Sequence, residues 1–277
     1  MQKIKMIALD LDGTTLNDKK QLTPRTKQVL EQAARQGIHI VVASGRAYTS
    51  LPEEVMALSG ITYALTSNGS AVYDTAFGER CLEILMEAEK VDAILEFLRE
   101  KPGQEVEVFY KGNPYVSEAF LREPTRYGAP ERAVGYLQST RTPVSDLHEF
   151  IREHRQELDS MDIISAEPKD REEWFKKLEE IGELYITSSV FYRVEVSNRK
   201  SGKGAALKKL AERLQIRPEE IVAFGNAEND VDMIQFAGTG VAVANSPEHV
   251  KQCADRIAPS NQEEGVAQVL EELLGLQ

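Results

Sequence analysis

"MIALDLDGTTL", residues 6–16, sets two aspartates at the end of a run that otherwise reads as a buried strand. Met6, Ile7, Ala8 and Leu9 are the short apolar run of a strand covered on both faces, and Gly13 closes it. Side chains alternate along a strand, so Asp10 and Asp12 project from one side, roughly 6–7 Å apart by rise alone. Two like charges that close repel and lose hydration; a divalent cation between them, or a shared proton, is the usual remedy. The stretch is not an EF-hand loop, which needs a preceding helix, a third oxygen ligand at position 14 and a glutamate where this chain has Gln21. A turn role for Asp12 before Gly13 is the plain alternative.

The surrounding chain is 277 residues long, enough for one large α/β domain or two smaller ones. Forty-five acidic against 33 basic residues give a formal charge of −12, which opposes binding to nucleic acid or to an anionic membrane. Two distant cysteines, Cys81 and Cys253, make neither a zinc spacing nor a disulfide framework, as expected in a reducing cytoplasm. The first strand begins within five residues of Met1 and no apolar stretch approaches a membrane span, so neither a signal peptide nor an anchor is expected.

Beyond the first strand, "TPRTKQVLEQAARQG" predicts a helix capped by Thr23, opened by Pro24 and ended by Gly37. "IHIVVASGR" is a second buried strand, and "YALTSNGSAVYD" a third with an Asn68-Gly69 hairpin turn. Near the other end, "KGAALKKLAERLQI" carries Leu207, Leu210, Ala211 and Leu214 on one helical stripe, followed by the strand "EIVAFGN" and further strand-helix pairs. Strand and helix alternating at both ends predict an α/β fold with a doubly wound parallel sheet. Residues 83–194 change character: a helix near 87–100, the hairpin "EVEVFYKGNPYV" turning at Gly112-Asn113-Pro114, an amphipathic helix that buries Trp174, and the hairpin-like "ELYITSSVFYRVEVSN". They read as an inserted α+β domain between two halves of the first, 1–82 and 195–277.

Ligands of open parallel sheets bind beyond the carboxyl ends of the strands. The second strand ends in Ser44-Gly45-Arg46, whose hydroxyl and backbone N–H groups suit a phosphate oxygen, although a serine there is also an ordinary helix cap. Lys203 opens a helix, where a cation opposes the positive end of the helix dipole and calls for an anion nearby; a solvated lysine between Gly202 and Gly204 is the alternative. "FGNAENDVDM" places Asn229 and Asp230 at a helix start after a strand, with Asp230 either a cap, or a metal ligand or a residue that supports the metal ligands.

Taken in order, D-x-D-G-T, S-G-R, N-G, K-G-x-A-L and N-D-x-x-M resemble the motifs of the haloacid dehalogenase-like hydrolases, and the insertion after the second motif resembles the Cof-type phosphatase branch. The resemblance implies a Rossmann-like core with a substrate-selecting cap. It also implies a magnesium-dependent phosphatase of small phosphorylated metabolites. By that resemblance Asp10 is the nucleophile that becomes phosphorylated and Asp12 the acid/base. Ser44 and Lys203, with Gly45 and Asn229, hold the phosphoryl oxygens. Asp10, the Asp12 carbonyl, Asn226 and Asp230 hold Mg²⁺. A nucleophilic carboxylate meets a phosphate dianion of the same sign, so the cation and Lys203 must offset the repulsion.

One position departs from the family: where the fourth motif usually has aspartate, this chain has Asn226. An amide oxygen brings no charge, so weaker metal binding is expected; Glu228 could compensate, but by the resemblance it is expected to be exposed. The same residues admit two other readings, a phosphohexomutase-like phosphotransferase and a catalytically weak metabolite-binding protein.

Overall fold

The computed structural model describes residues 3–99, 104–165, 167–190 and 192–276. It divides into two compact units, Met1–Arg46 with Leu51–Leu82 and Gly202–Gln277, and Ala47–Ser50 with Glu83–Ser201. The first unit holds an eight-stranded sheet. In chain numbering its strands are β1 (Met6–Leu9), β2 (His39–Ala43), β3 (Ile61–Thr66), β4 (Ala71–Asp74), β5 (Glu79–Glu83), β12 (Ile221–Gly225), β13 (Thr239–Val243) and β14 (Arg256–Ala258). They lie in the order β14-β13-β12-β1-β2-β3-β4-β5. Every pairing from β14 to β3 is parallel, and β4 runs antiparallel to β3.

β1 is central because its four residues are apolar on both faces. Met6 pairs with Ile221 and with His39, and none of Met6 to Leu9 is more than 1% exposed. The strand stops at Leu9, so the two aspartates lie on the loop beyond it rather than in the strand, although the Asp10 N–H still bonds the Phe224 carbonyl at 3.0 Å. The helices of this unit are α1 (Pro24–Arg35), α2 (Glu53–Met56), α8 (Lys203–Leu214), α9 (Val231–Phe236), α10 (Glu248–Lys251) and α11 (Gly265–Leu274). The Thr23 side chain caps α1 by accepting the Thr26 N–H, with Pro24 at the first position, as the sequence predicts. α8 buries Ala206, Leu207, Leu210 and Ala211 in one cluster with Met6, Ala8, Val41 and Ala223. Each such leucine contributes about 1.5–3 kcal/mol and fixes the helix start where Lys203 stands.

The second unit holds a six-stranded sheet of β6 (Glu105–Tyr110), β7 (Asn113–Ser117), β8 (Thr142–Val144), β9 (Leu158–Ile164), β10 (Leu184–Thr187) and β11 (Arg193–Asn198), ordered β10-β11-β9-β6-β7-β8. Its helices are α3 (Ala88–Arg99), α4 (Glu118–Arg122), α5 (Glu131–Thr140), α6 (Leu147–His154) and α7 (Pro168–Ile181). The helix expected near 87–100 is α3, residue 100 lying outside the described residues, as does Phe191 of the last hairpin. Val91, Ile94 and Trp174 pack with Val106, Val108, Met161, Ile163, Val194 and Val196 on one face of the sheet. The alternate residues place Glu107, Asp162 and Glu195 side by side across three strands, where buried Arg193 bonds Asp162 at 2.7 Å and pairs with Glu107 at 3.0 Å.

Two local expectations change. The β6–β7 turn is made by Lys111 and Gly112, both with positive φ, and not by Gly112 to Pro114, because a two-residue hairpin turn needs that backbone at both central positions. The second unit also runs past 194: β11 pairs with β9 and β10, and the Asn198 side chain donates to the Leu85 carbonyl at 2.8 Å, which keeps residues 195–201 with it. Ala47–Ser50 join this unit too, the Thr49 N–H bonding the Gly112 carbonyl at 3.1 Å. Among the described residues no helix is long and apolar enough to cross a membrane.

Candidate functional site

Four loops of the first unit leave the carboxyl ends of β1, β2, β3 and β12, and the start of α8 meets them. This is where an open parallel sheet binds ligands. The β1 loop folds back on itself through the Leu16 N–H to Leu11 carbonyl bond of 2.9 Å, and the Thr15 hydroxyl donates to the Asp10 carbonyl at 2.6 Å. Gly13 is required in it: its φ is +87°, and a Cβ would lie 2.9 Å from the Asn226 side-chain amide.

Asp10 is 6% exposed and Lys203 fully buried, and the lysine Nζ donates to Asp10 Oδ1 at 2.8 Å and to Asp230 Oδ1 at 2.6 Å. These two carboxylates are the anions that a cation at a helix start requires. Burial works against the Lys203 charge, but Asp10 and Asp230 outweigh it and hold the ammonium above its usual range. Burial and the neighbouring Asp230 carboxylate push Asp10 up to about 7, against the pull of Lys203. A second positive charge beside Asp10 would favour the ionised, nucleophilic form.

Asp12 has a different environment. Arg46 grips both its oxygens, Nε to Oδ2 at 2.7 Å and Nη2 to Oδ1 at 2.8 Å, and Lys20 approaches Oδ1 at 2.8 Å. Burial raises its pKa, but the Arg46 and Lys20 bonds prevail and keep the carboxyl well below the usual range. The pair that alternation placed on one side of a strand is thus separated by its partners, Lys203 for one and Arg46 for the other.

Ser44 is buried, and its hydroxyl accepts the Arg46 N–H at 3.1 Å across Gly45, which leaves its own O–H able to donate to a ligand. Asn229 donates to the Asn68 side chain at 2.9 Å, joining the β12 and β3 loops. The β3 loop passes through Ser67, Asn68 and Gly69, all at positive φ, and the Asn68 carbonyl accepts the Gly202 N–H at 2.9 Å just before Lys203.

The two acidic residues of the fourth motif have protein partners. Asp230 Oδ1 is held by Lys203, and Oδ2 accepts the N–H groups of Asn226 at 2.8 Å and Ala227 at 3.0 Å. It shapes the loop and positions Lys203. Glu228 is exposed, as expected, and turns outward to His249, 2.7 Å away.

No group of three His, Cys, Asp or Glu side chains suited to a metal occurs among the described residues. The convergent donors are of another kind. One end of the Asn226 amide lies 3.1 Å from Asp10 Oδ2 and 3.1 Å from the Asp12 carbonyl oxygen. A carboxylate, a main-chain carbonyl and an amide form a hard oxygen set that suits a small divalent cation and offers no soft ligand.

Sequence reading brought Asp10, Asp12, Ser44, Gly45, Lys203, Asn226, Asn229 and Asp230 to one set of loops, and the structure joins them. It missed Arg46 and Lys20 as holders of Asp12, and Thr14, whose side chain bonds Asn226 at 2.8 Å. The only signal for Arg46 was its place directly after Ser44-Gly45 at a strand end.

A family model described as haloacid dehalogenase-like hydrolase matches residues 7–270. Phosphatase YwpJ of Bacillus subtilis (strain 168) is 32% identical over 293 aligned residues, covering 98% of this chain and 100% of the relative. The 5-amino-6-(5-phospho-D-ribitylamino)uracil phosphatase YcsE of the same organism is 30% identical, covering 96% of this chain and 94% of the relative. A solved structure of a haloacid dehalogenase-like hydrolase from B. subtilis superposes with a TM-score of 0.83 at 32% identity, covering 98% of this chain and 100% of that one.

Proposed function

Because the chain belongs to the haloacid dehalogenase-like hydrolase family and is a phosphomonoester hydrolase of that type, we propose that it uses magnesium and Asp10 to hydrolyse small phosphorylated metabolites such as sugar phosphates, phosphorylated cofactors or nucleotides. The observation that carries this reading is the division of Asp10 between two partners: Oδ1 takes the bond from buried Lys203, and Oδ2 faces the Asn226 amide beside the Asp12 carbonyl.

The Asp10 carboxylate attacks phosphorus and becomes an aspartyl-phosphate, with Lys203 offsetting the repulsion between nucleophile and dianion. Asp10, the Asp12 carbonyl and Asn226 would hold magnesium, which when bound would supply further positive charge at the phosphoryl group. Ser44, flanked by Gly45, donates its hydroxyl to a phosphoryl oxygen, and Asn229 fixes the loop opposite. Asp12 gives a proton to the leaving oxygen and takes one from the water that cleaves Asp10 free. The ionised carboxylate gripped by Arg46 and Lys20 suits the second transfer; the first requires that they release it.

The second unit acts as a cap that excludes water and selects the substrate. A polyol phosphate on a heteroaromatic group, named for the relative YcsE, belongs in any substrate panel. The charge of −12 sets the protein against nucleic acid and anionic membranes, and free Cys81 and Cys253 suit the reducing cytoplasm.

The test is phosphate release across about a hundred phosphorylated metabolites, with and without magnesium, for the native protein and Asp10→Asn. Magnesium-dependent release from a few compounds, absent in the variant, is expected. No release from any of them at high magnesium, or release that survives Asp10→Asn, overturns the reading.

A further inference from the structure

The Asn226 side chain has two faces, and only one satisfies its surroundings as they stand. With the amide nitrogen inward its two protons have three acceptors in reach, the Asp12 carbonyl at 3.1 Å, Asp10 Oδ2 at 3.1 Å and the Thr14 hydroxyl at 2.8 Å. With the oxygen inward, only the Thr14 hydroxyl donates to it, and the Asp12 carbonyl and an ionised Asp10 face a third oxygen with no proton between them. The hydrogen-bond network therefore selects the nitrogen. That –NH₂ stands among the same oxygens that a divalent cation would take.

We propose that Asn226 is a built-in plug: its amide nitrogen occupies the cation position, and the amide must turn over, presenting its oxygen, before the ion is held. This rests on the reading of the site as magnesium-dependent. Turning over gives up the bonds to Asp10 and Asp12, so ion binding works against an internal competitor. An aspartate at this position could not play both parts. It would have no proton to offer, and it would set a second charge against Asp10 whenever the ion is away. Gly13 leaves the amide room, since a Cβ there would stand 2.9 Å from one end of it and 3.3 Å from its carbon.

The experiment uses the full-length native protein labelled with ¹⁵N-asparagine, its Asn226 side-chain signals assigned by their loss in Asn226→Asp. In chelator the Asn226 –NH₂ should exchange slowly with solvent. Titrating magnesium chloride should shift those signals and speed their exchange by at least about tenfold, one decade in the equilibrium that protects them. In chelator, Asn226→Asp should melt about 2–4 °C below the native protein, and magnesium should raise its melting temperature by more than it raises the native one. If calorimetry shows magnesium binding while the Asn226 signals stay unchanged, the plug is wrong and the magnesium site stands. If the variant in chelator is as stable as the native protein, the plug is also wrong. If magnesium produces neither heat nor stabilisation in either protein, the magnesium reading fails and the plug with it.

Discussion

Lys203 and Asp230 form an ion pair of 2.6 Å in which neither side chain is exposed at all. Asp230 also receives two N–H groups from the loop that carries Asn226, so one carboxylate fixes both the cation beside Asp10 and the amide opposite it. Asp230→Ala leaves a buried ammonium with one partner and two loop N–H groups with none. Removing one member of such a pair costs about 3–5 kcal/mol, and urea unfolding should show a loss of that size. A loss below about 1 kcal/mol would mean that the pair does not hold the loop.

Asp10→Asn should fold normally and lose turnover of an aryl phosphate to background, since the amide is no nucleophile toward phosphorus. Asp12→Asn should reduce the rate by about 10²–10⁴, the usual worth of a positioned proton transfer. Steady-state assays beside circular dichroism of both variants check this. A nearly normal rate in either variant removes that residue from the chemistry.

Arg46→Ala should release Asp12. With two charge-assisted bonds gone, its carboxyl should titrate closer to the ordinary value of about 3.9, read from ¹³C shifts of the Asp12 carboxyl. Arg46→Lys should fall between, because an ammonium cannot grip both oxygens in one plane. An Asp12 titration that Arg46→Ala leaves where it was would show that Lys20 alone sets it.

Glu220 links pH to stability at a site remote from catalysis. The bond from Lys5, helped by the Arg217 N–H, lowers its pKa from 4.5 to about 2. A group depressed on folding stabilises the fold fully above its unfolded value and loses that contribution as pH falls through the folded one. Glu220→Gln should therefore be less stable than the native protein at pH 7, and the gap should narrow between pH 4.5 and 2. Melting curves at pH 7 and pH 3 with equal gaps would contradict the assignment.

The sheet was legible because its signals are local: apolar runs at β1, β2 and β12, a Thr-Pro helix start at α1, a leucine-rich stripe along α8. The site was legible as a set of strand ends. Its partnerships were not, because they are made by side chains reaching across loops far apart in sequence. Arg46 meets Asp12 from another strand end, and spacing does not show that Asp230 is bonded by Lys203 and by the 226–227 backbone. The end of the second unit was misplaced for a similar reason. β11 has the alternation of a strand that could belong to either sheet, and only its pairing with β9 decides.

The neighbours of β1 reach it at different times during synthesis. β1 finds β2 within some forty residues, but its other neighbour, β12, begins only at Ile221, and Lys203 itself lies 193 positions from Asp10. At about 5–20 residues per second, a ribosome takes on the order of 10–40 s to close that interval. Throughout it the central strand has one open edge, and Asp10 and Asp12 stand without Lys203 or the β12 loop. The second unit, whose segments are contiguous apart from Ala47–Ser50, is complete before the first can be. A nascent chain arrested before α8 should therefore expose a sticky strand edge to holdase chaperones, and ribosome profiling of chaperone occupancy should show it released only after β12 has emerged.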